Sequence, residues 1–197
     1  MGTRWLDDDE RDAWVRFIAV VERLPGVLDS QLRRDAGLTH YEYFVLAMLS
    51  EAPDRTLRMT ALAARTNATL PRLSHVVSRM EERDLVRRSP CLQDRRAFNV
   101  TLTDTGWATL VDAAPGHVAT VREHVIDPLS PAQVRELAGI ADAMLRRLDP
   151  QGSATPPARA PRTGEPDGAG EPDGTGEPDG AGSTGSTAAT GSAPGGR

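Results

Sequence analysis

Lysine is missing from this chain: all 23 basic residues are arginine. The bias fits a GC-rich genome, and guanidinium is also the planar fork that matches phosphate and guanine. Cysteine is nearly as scarce, with Cys91 alone. That excludes an internal disulfide framework and a Cys-rich metal cluster, and it fits a reducing compartment. No apolar run is long enough for a membrane span, and the acidic stretch from Met1 to Asp12 has neither the basic nor the apolar region of a signal peptide. A cytoplasmic protein with no membrane partner is therefore expected. Ser/His/Asp geometry, a Gly-rich phosphate loop and metal-ligand spacing are also lacking. His117 and His124 stand seven apart, beyond the i, i+4 pair that grips a metal. Neither an enzyme nor a cofactor is expected.

From Pro150 onward there is no Val, Ile, Leu, Met or aromatic residue. Such a segment buries too little apolar surface to offset the entropy of ordering, so 150–197 reads as a disordered Gly/Pro/Asp/Glu-rich tail and 1–149 as the folded domain. Glu-Pro-Asp-Gly recurs in the tail at 165, 171 and 177, a period too short and too polar for a solenoid unit.

Charge is distributed in blocks. Residues 1–54 sum to −5, 55–101 to +6 and 102–197 to −6, in a chain of formal net charge −5. The basic block holds the most informative stretch, Leu85 to Leu102, which reads as two short strands joined by an arginine-bearing loop. In it Arg87, Arg88, Arg95 and Arg96 oppose the single acid Asp94. A local basic hairpin on an acidic protein points to a polyanion.

Periodicity supplies the context. Apolar residues at Trp14, Phe17, Ile18, Val21, Leu24, Leu28 and Leu32 predict a helix from Asp8 to about Asp35, bent near Pro25-Gly26. Thr39-His-Tyr-Glu42 is a capping box that opens a second helix to about Glu51. Leu57 to Met59 forms a short strand, Met59 to Thr66 a short helix, and Thr69 caps a third amphipathic helix over 70–84, with Leu73, Val76, Val77 and Met80 inward and Pro71 in its first turn. After the hairpin come a helix from Thr103 to about Val125, bent at Pro115-Gly116, and a last one opened by the Ser130-Pro-Ala-Gln133 box. Helix, helix, short strand, helix, helix, β-hairpin, helix, helix is a mainly α fold with a small β-hairpin, the winged helix-turn-helix with helical extensions at both ends.

The chemistry fits that geometry. Thr69, Pro71, Arg72, Ser74, His75 and Arg79 line the helix over 70–84, where their side chains can reach phosphates or base edges; Arg72 and His75 share a face. Arg95 or Arg96 at the hairpin tip can enter a minor groove, and Asp94 can brace one of them through a bidentate pair.

These features together resemble the MarR family of winged-helix transcriptional regulators over about residues 8–149. The carrying residues are Gly37-Leu-Thr39, Leu57-Arg-Met-Thr-Ala-Leu-Ala63, Arg72-Leu-Ser-His-Val-Val-Ser-Arg-Met-Glu81, and Asp94-Arg-Arg96 followed by Val100-Thr-Leu-Thr-Asp-Thr-Gly106. The resemblance implies that Asp94 and Arg96 form the wing's Asp-x-Arg motif, with Arg96 in the minor groove. It further implies a homodimer joined through the first and last two helices on pseudo-palindromic double-stranded DNA, and a repressor released by a small-molecule effector. Dimerisation has a separate warrant, since one winged-helix core cannot bury every apolar face of the terminal helices; Trp5, Leu6 and Trp14 are candidates for that interface. By resemblance the effector pocket lies near Trp14, Phe17, Tyr41 and Trp107. Trp107, Phe98 and Tyr41 are expected in the core. Two alternatives stand beside this reading: a winged-helix module that binds another protein, and a redox-responsive regulator in which an exposed Cys91 thiolate is stabilised by its arginine neighbours.

Overall fold

The computed structural model describes residues 2–91, 94–150 and 152, and only the backbone of Arg95 and Arg96. All of these lie in the first of two units into which the chain divides, Met1–Arg159. The tail expected over 150–197 falls outside the described residues except at Pro150 and Gly152.

The first helix, α1 (Asp8–Ala36), opens on a capping box in which Asp7 accepts from the Glu10 amide and Glu10 returns the bond. It closes at Gly37, whose left-handed φ of 62° lets the Gly37 and Leu38 amides turn back onto the Arg33 and Leu32 carbonyls. Next comes α2 (His40–Ser50), capped by Thr39 and Glu42. A 3-10 turn at Pro53–Arg55 leads into β1 (Thr56–Arg58), α3 (Met59–Arg65) and α4 (Leu70–Glu82). The hairpin is β2 (Val86–Cys91) and β3 (Asp94–Leu102), followed by α5 (Asp104–Val121), a π-helical turn at Arg122–Ile126, and α6 (Pro131–Leu148). The sheet is antiparallel in the order β1-β3-β2, so β3 is central and the hairpin is locked to the helices through β1.

The core sits where α2, α3, α4, β2 and β3 meet the C-terminal end of α1. Leu32, Leu38, Val45, Leu46, Leu49, Leu62, Leu73, Val77, Met80 and Val100 are all fully buried there. α5 packs along α1 and joins this core through Leu110 and Ala113. At the start of α5 the approach to the sheet is so close that a Cβ on Gly106 would lie 2.0 Å from the Leu85 carbonyl oxygen. Only glycine fits.

α1 and α5 both continue as α-helix through Pro25 and Pro115, where the sequence predicted bends. α5 then gives way to the π turn, where each carbonyl reaches one residue further along the chain than in an α-helix. Of the aromatics expected in the core, Tyr41 is half-buried against it, whereas Phe98 is 46% and Trp107 38% exposed. Phe98 sits on the hairpin, opposite Pro90. Trp107 supports the 3-10 turn instead: the Arg55 guanidinium lies 4.1 Å from its ring centroid, and Arg55 and Asp54 both hold a positive φ of 51°.

The terminal helices are the least buried part of the unit. Trp14, Val15, Phe17, Val20 and Val21 of α1, Val111 and Val118 of α5, and Leu137, Ile140 and Leu148 of α6 are exposed, and α6 has no buried residue at all.

Candidate nucleic-acid interface

α4 is amphipathic and its two faces are cleanly separated. Leu73, Val77 and Met80 are buried, which turns Thr69, Pro71, Arg72, His75 and Arg79 to the solvent and leaves Ser74 half-buried. Thr69 accepts from the Arg72 amide at 3.5 Å, a long cap bond, and Pro71 occupies a position where no intrahelical amide bond is required. The N-terminal half of α4 therefore presents a row of cationic and hydroxyl side chains on a rigid element.

Two of its arginines are already engaged. The Arg72 guanidinium carbon lies over the ring of Tyr41, 4.9 Å from the centroid, and the Tyr41 hydroxyl donates to Thr66 Oγ1 at 2.9 Å. Further along, Arg79 and Arg83 each bring a guanidinium nitrogen to 3.7 Å from the carboxylate of Glu42, whose side chain is buried. Glu42 also accepts from the Thr39 amide and hydroxyl, while Arg83 donates to the Gly37 carbonyl. Arg79, expected as a DNA donor, thus has part of its charge answered inside the chain. The capping box announced that Glu42 turns back toward Thr39, but nothing local said that α4 would lay two arginines on the same carboxylate.

The hairpin is tied to α4 at its base. Arg88 donates its backbone amide to Glu81 Oε1 at 2.9 Å and its Nε to Oε2 at 2.8 Å. These bonds, together with the nearby guanidinium charge, hold the Glu81 carboxyl below the ordinary carboxylate range against the opposing effect of burial. Arg87 is exposed, as is Asp94, which faces Cys91 across the hairpin. The side chains of Arg95 and Arg96, and all of Leu92 and Gln93, lie outside the described residues, so the expected Asp94 brace falls there too. Cys91 is buried, only 5% exposed, where the sequence led to an exposed thiol. A register irregularity between Pro90 and Cys91 is the cause: it turns inward a side chain that strict alternation from buried Val86 would place outward.

The four aromatics expected around an effector pocket do not gather. Trp14 and Phe17 are neighbours on an exposed stretch of α1 with ring centroids 6.5 Å apart, Tyr41 belongs to the Arg72 stack, and Trp107 to Arg55. A cleft of about 650 Å³ is lined instead by Ala19, Val20, Leu24 and Val27 of α1, Val125, Pro128 and Leu129 of the π turn and loop, and Leu137 of α6, with Arg23 and His124 as its ionisable members. A polar cluster that the sequence did not single out joins α1, α2 and α5. His117 lies 4.3 Å from the Tyr43 ring and 6.3 Å from His40, whose amide donates to Asp29. Burial lowers the pKa of both imidazoles, with Asp29 partly opposing the effect at His40 and His40 adding to it at His117, and burial raises that of Tyr43. His117 Nδ1 and Gln31 Oε1 are buried without a hydrogen-bond partner among the described residues.

The family model described as "MarR family" matches residues 38–98, the span from the start of α2 through most of the hairpin. Sco3205 of Streptomyces coelicolor, a MarR family transcriptional regulator solved in complex with DNA, is 42% identical, with a TM-score of 0.72 over 76% of this chain and 94% of that one. AbsC of the same organism, also a MarR family transcriptional regulator, is 40% identical, with a TM-score of 0.71 over 76% of this chain and all of that one. The HTH-type transcriptional repressor YetL of Bacillus subtilis is 29% identical over 85 residues, 43% of this chain; the match spans about half the length of that repressor.

Proposed function

This chain belongs to the MarR family, and on that footing we propose that it is a transcriptional regulator that binds double-stranded DNA as a homodimer, acting as a repressor on a pseudo-palindromic operator and released by a small ligand. The observation that carries the DNA-binding reading is the division of α4, which buries Leu73, Val77 and Met80 and turns Arg72 and His75 outward beside an arginine-bearing wing. A helix of that kind, entering a major groove by its N-terminal half, puts Thr69, Pro71, Arg72, Ser74 and His75 at base edges and phosphates. Arg95 or Arg96 on the wing reaches the adjacent minor groove, with Asp94 as the brace for its guanidinium. Sco3205, a relative of matching fold, was solved in complex with DNA, which supports DNA as the partner.

The homodimer rests on the exposed apolar faces of α1, α5 and α6. Within one chain these faces stay uncovered, and a second copy offers the same faces in return.

A gel shift against the DNA upstream of the protein's own coding sequence, repeated at two salt concentrations, tests the reading. Binding that weakens steeply with salt is expected, because arginine-phosphate contacts release counterions. Sedimentation of the free protein as a monomer would remove the dimer, and a thermal-shift screen of phenolic and lipophilic compounds addresses the effector.

A further inference from the structure

We infer that Tyr41 is a positioning residue for DNA recognition: its ring fixes the plane of the Arg72 guanidinium at the start of α4, so that Arg72 reads DNA from a set direction and not as a loose charge. The inference deepens the DNA-binding reading above and rests on it.

Arg72 is exposed, at the third position of the helix, where a long side chain would ordinarily sample many rotamers. Here it lies over Tyr41, 4.9 Å from the ring centroid. The ring is itself held at both ends. Its edge packs against the core beside α2, and its hydroxyl donates to Thr66 Oγ1, which in turn donates to the Leu62 carbonyl from a buried position on the turn before α4. The chain of contacts runs from Leu62 through Thr66 and Tyr41 to Arg72, so it links α2, the helix-turn-helix turn and α4. A guanidinium that stacks through its face keeps its N–H donors in the plane of the fork, free for a carboxylate, a phosphate or the two acceptors of a guanine edge. Stacking on Tyr41 therefore removes rotamer freedom without using up a donor. Among the described residues no carboxylate is paired with Arg72, in contrast to Arg79 and Arg83 on Glu42.

The consequence is specificity more than affinity. A loose arginine attracts any phosphate, whereas a fixed fork rewards one base in one register.

The test uses the full chain and a duplex that it selects from a randomised pool, with a shuffled duplex of the same composition as the non-specific reference. Tyr41→Leu is expected to lower affinity for the selected duplex by roughly 10-fold while leaving the shuffled one within about 2-fold. Arg72→Lys, a surface change that keeps the charge and loses the planar fork, is expected to do the same, and Tyr41→Phe, which keeps the ring but frees it from Thr66, to lose discrimination by a smaller factor. Combined with Arg72→Ala, Tyr41→Leu should add no further loss of discrimination, since the group it positions is gone. If Arg72→Ala abolishes discrimination while Tyr41→Leu and Arg72→Lys both keep the wild-type ratio, the positioning role is overturned and DNA binding stands. Parallel losses on both duplexes with Tyr41→Leu, in a protein where Arg72→Lys is silent, also overturn it. A selection that returns no preferred duplex overturns the DNA-binding reading and this inference with it.

Discussion

Glu81 on the last turn of α4 accepts two bonds from Arg88 of β2, one from its backbone amide and one from its guanidinium, so the wing is fastened at its base to α4. The depressed Glu81 pKa sets the sign of its pH dependence. A carboxyl whose folded-state pKa lies below its unfolded value contributes stability that is present above the unfolded pKa and lost as the pH falls through the folded one. Glu81→Gln keeps one acceptor and loses the charge. It is expected to cost about 1 kcal/mol at neutral pH and to weaken DNA binding by letting the wing swing, a difference that should vanish in melts run well below the carboxylate range.

Arg96→Ala should weaken operator binding by roughly 10- to 100-fold and lower the salt slope by about 1, without shifting the melting temperature. Titrations at several salt concentrations read both quantities. An unchanged slope and affinity would take the wing out of the mechanism.

The His40 and His117 pair gives a pH dependence in a different window. Burial depresses both imidazoles, so the folded state favours their neutral forms. The stability this contributes is complete above the ordinary histidine pKa and declines as the pH falls below it toward the lower folded-state values. Melting temperatures recorded between about pH 7.5 and about pH 5.5 should fall, and His117→Gln should flatten that fall. The Asp29 and Glu81 carboxyls, both depressed, titrate below this window.

Gly106→Ala should cost about 3 kcal/mol or more, because the new methyl would collide with the Leu85 backbone and not with a movable side chain. Calorimetry should show a melting temperature lower by about 10 °C or more, with Gly116→Ala a milder control, since its Cβ meets side-chain ends, Gln31 Nε2 at 3.0 Å and Asp35 Oδ2 at 3.4 Å, and no backbone.

Cys91, buried beneath the wing, should react with an alkylating reagent at least about 10-fold more slowly in the native protein than in denaturant. DNA binding by Cys91→Ala should then respond to peroxide no differently from wild type. A peroxide response lost in that variant would restore the redox reading.

Much of the fold was legible because its signals are local. The Thr39/Glu42 and Ser130/Gln133 boxes each lie within one turn, and both appear as the sequence spelled them. The order of elements needed only periodicity and the hairpin. What escaped the sequence depends on partners distant along the chain. Arg79 is the exposed cation that the sequence suggested, but its ion pair with the buried Glu42 depends on how α4 meets α2, and Cys91 looked exposed until a one-residue irregularity turned it inward. Trp107 looked like core because tryptophan usually is, yet its ring serves a strained turn fifty residues earlier in sequence. The π turn left no mark in composition or spacing.

α6 runs for 18 residues with not one of them buried within its own chain. Helices of that length are marginal in water unless something covers their apolar side. Its order would then depend on assembly, and assembly on how many copies the cell holds. If a second copy supplies that cover, operator occupancy rises with more than the first power of protein concentration, and modest dilution silences a site that simple binding would leave half filled. A helix that its own chain leaves largely uncovered would set the threshold of the switch.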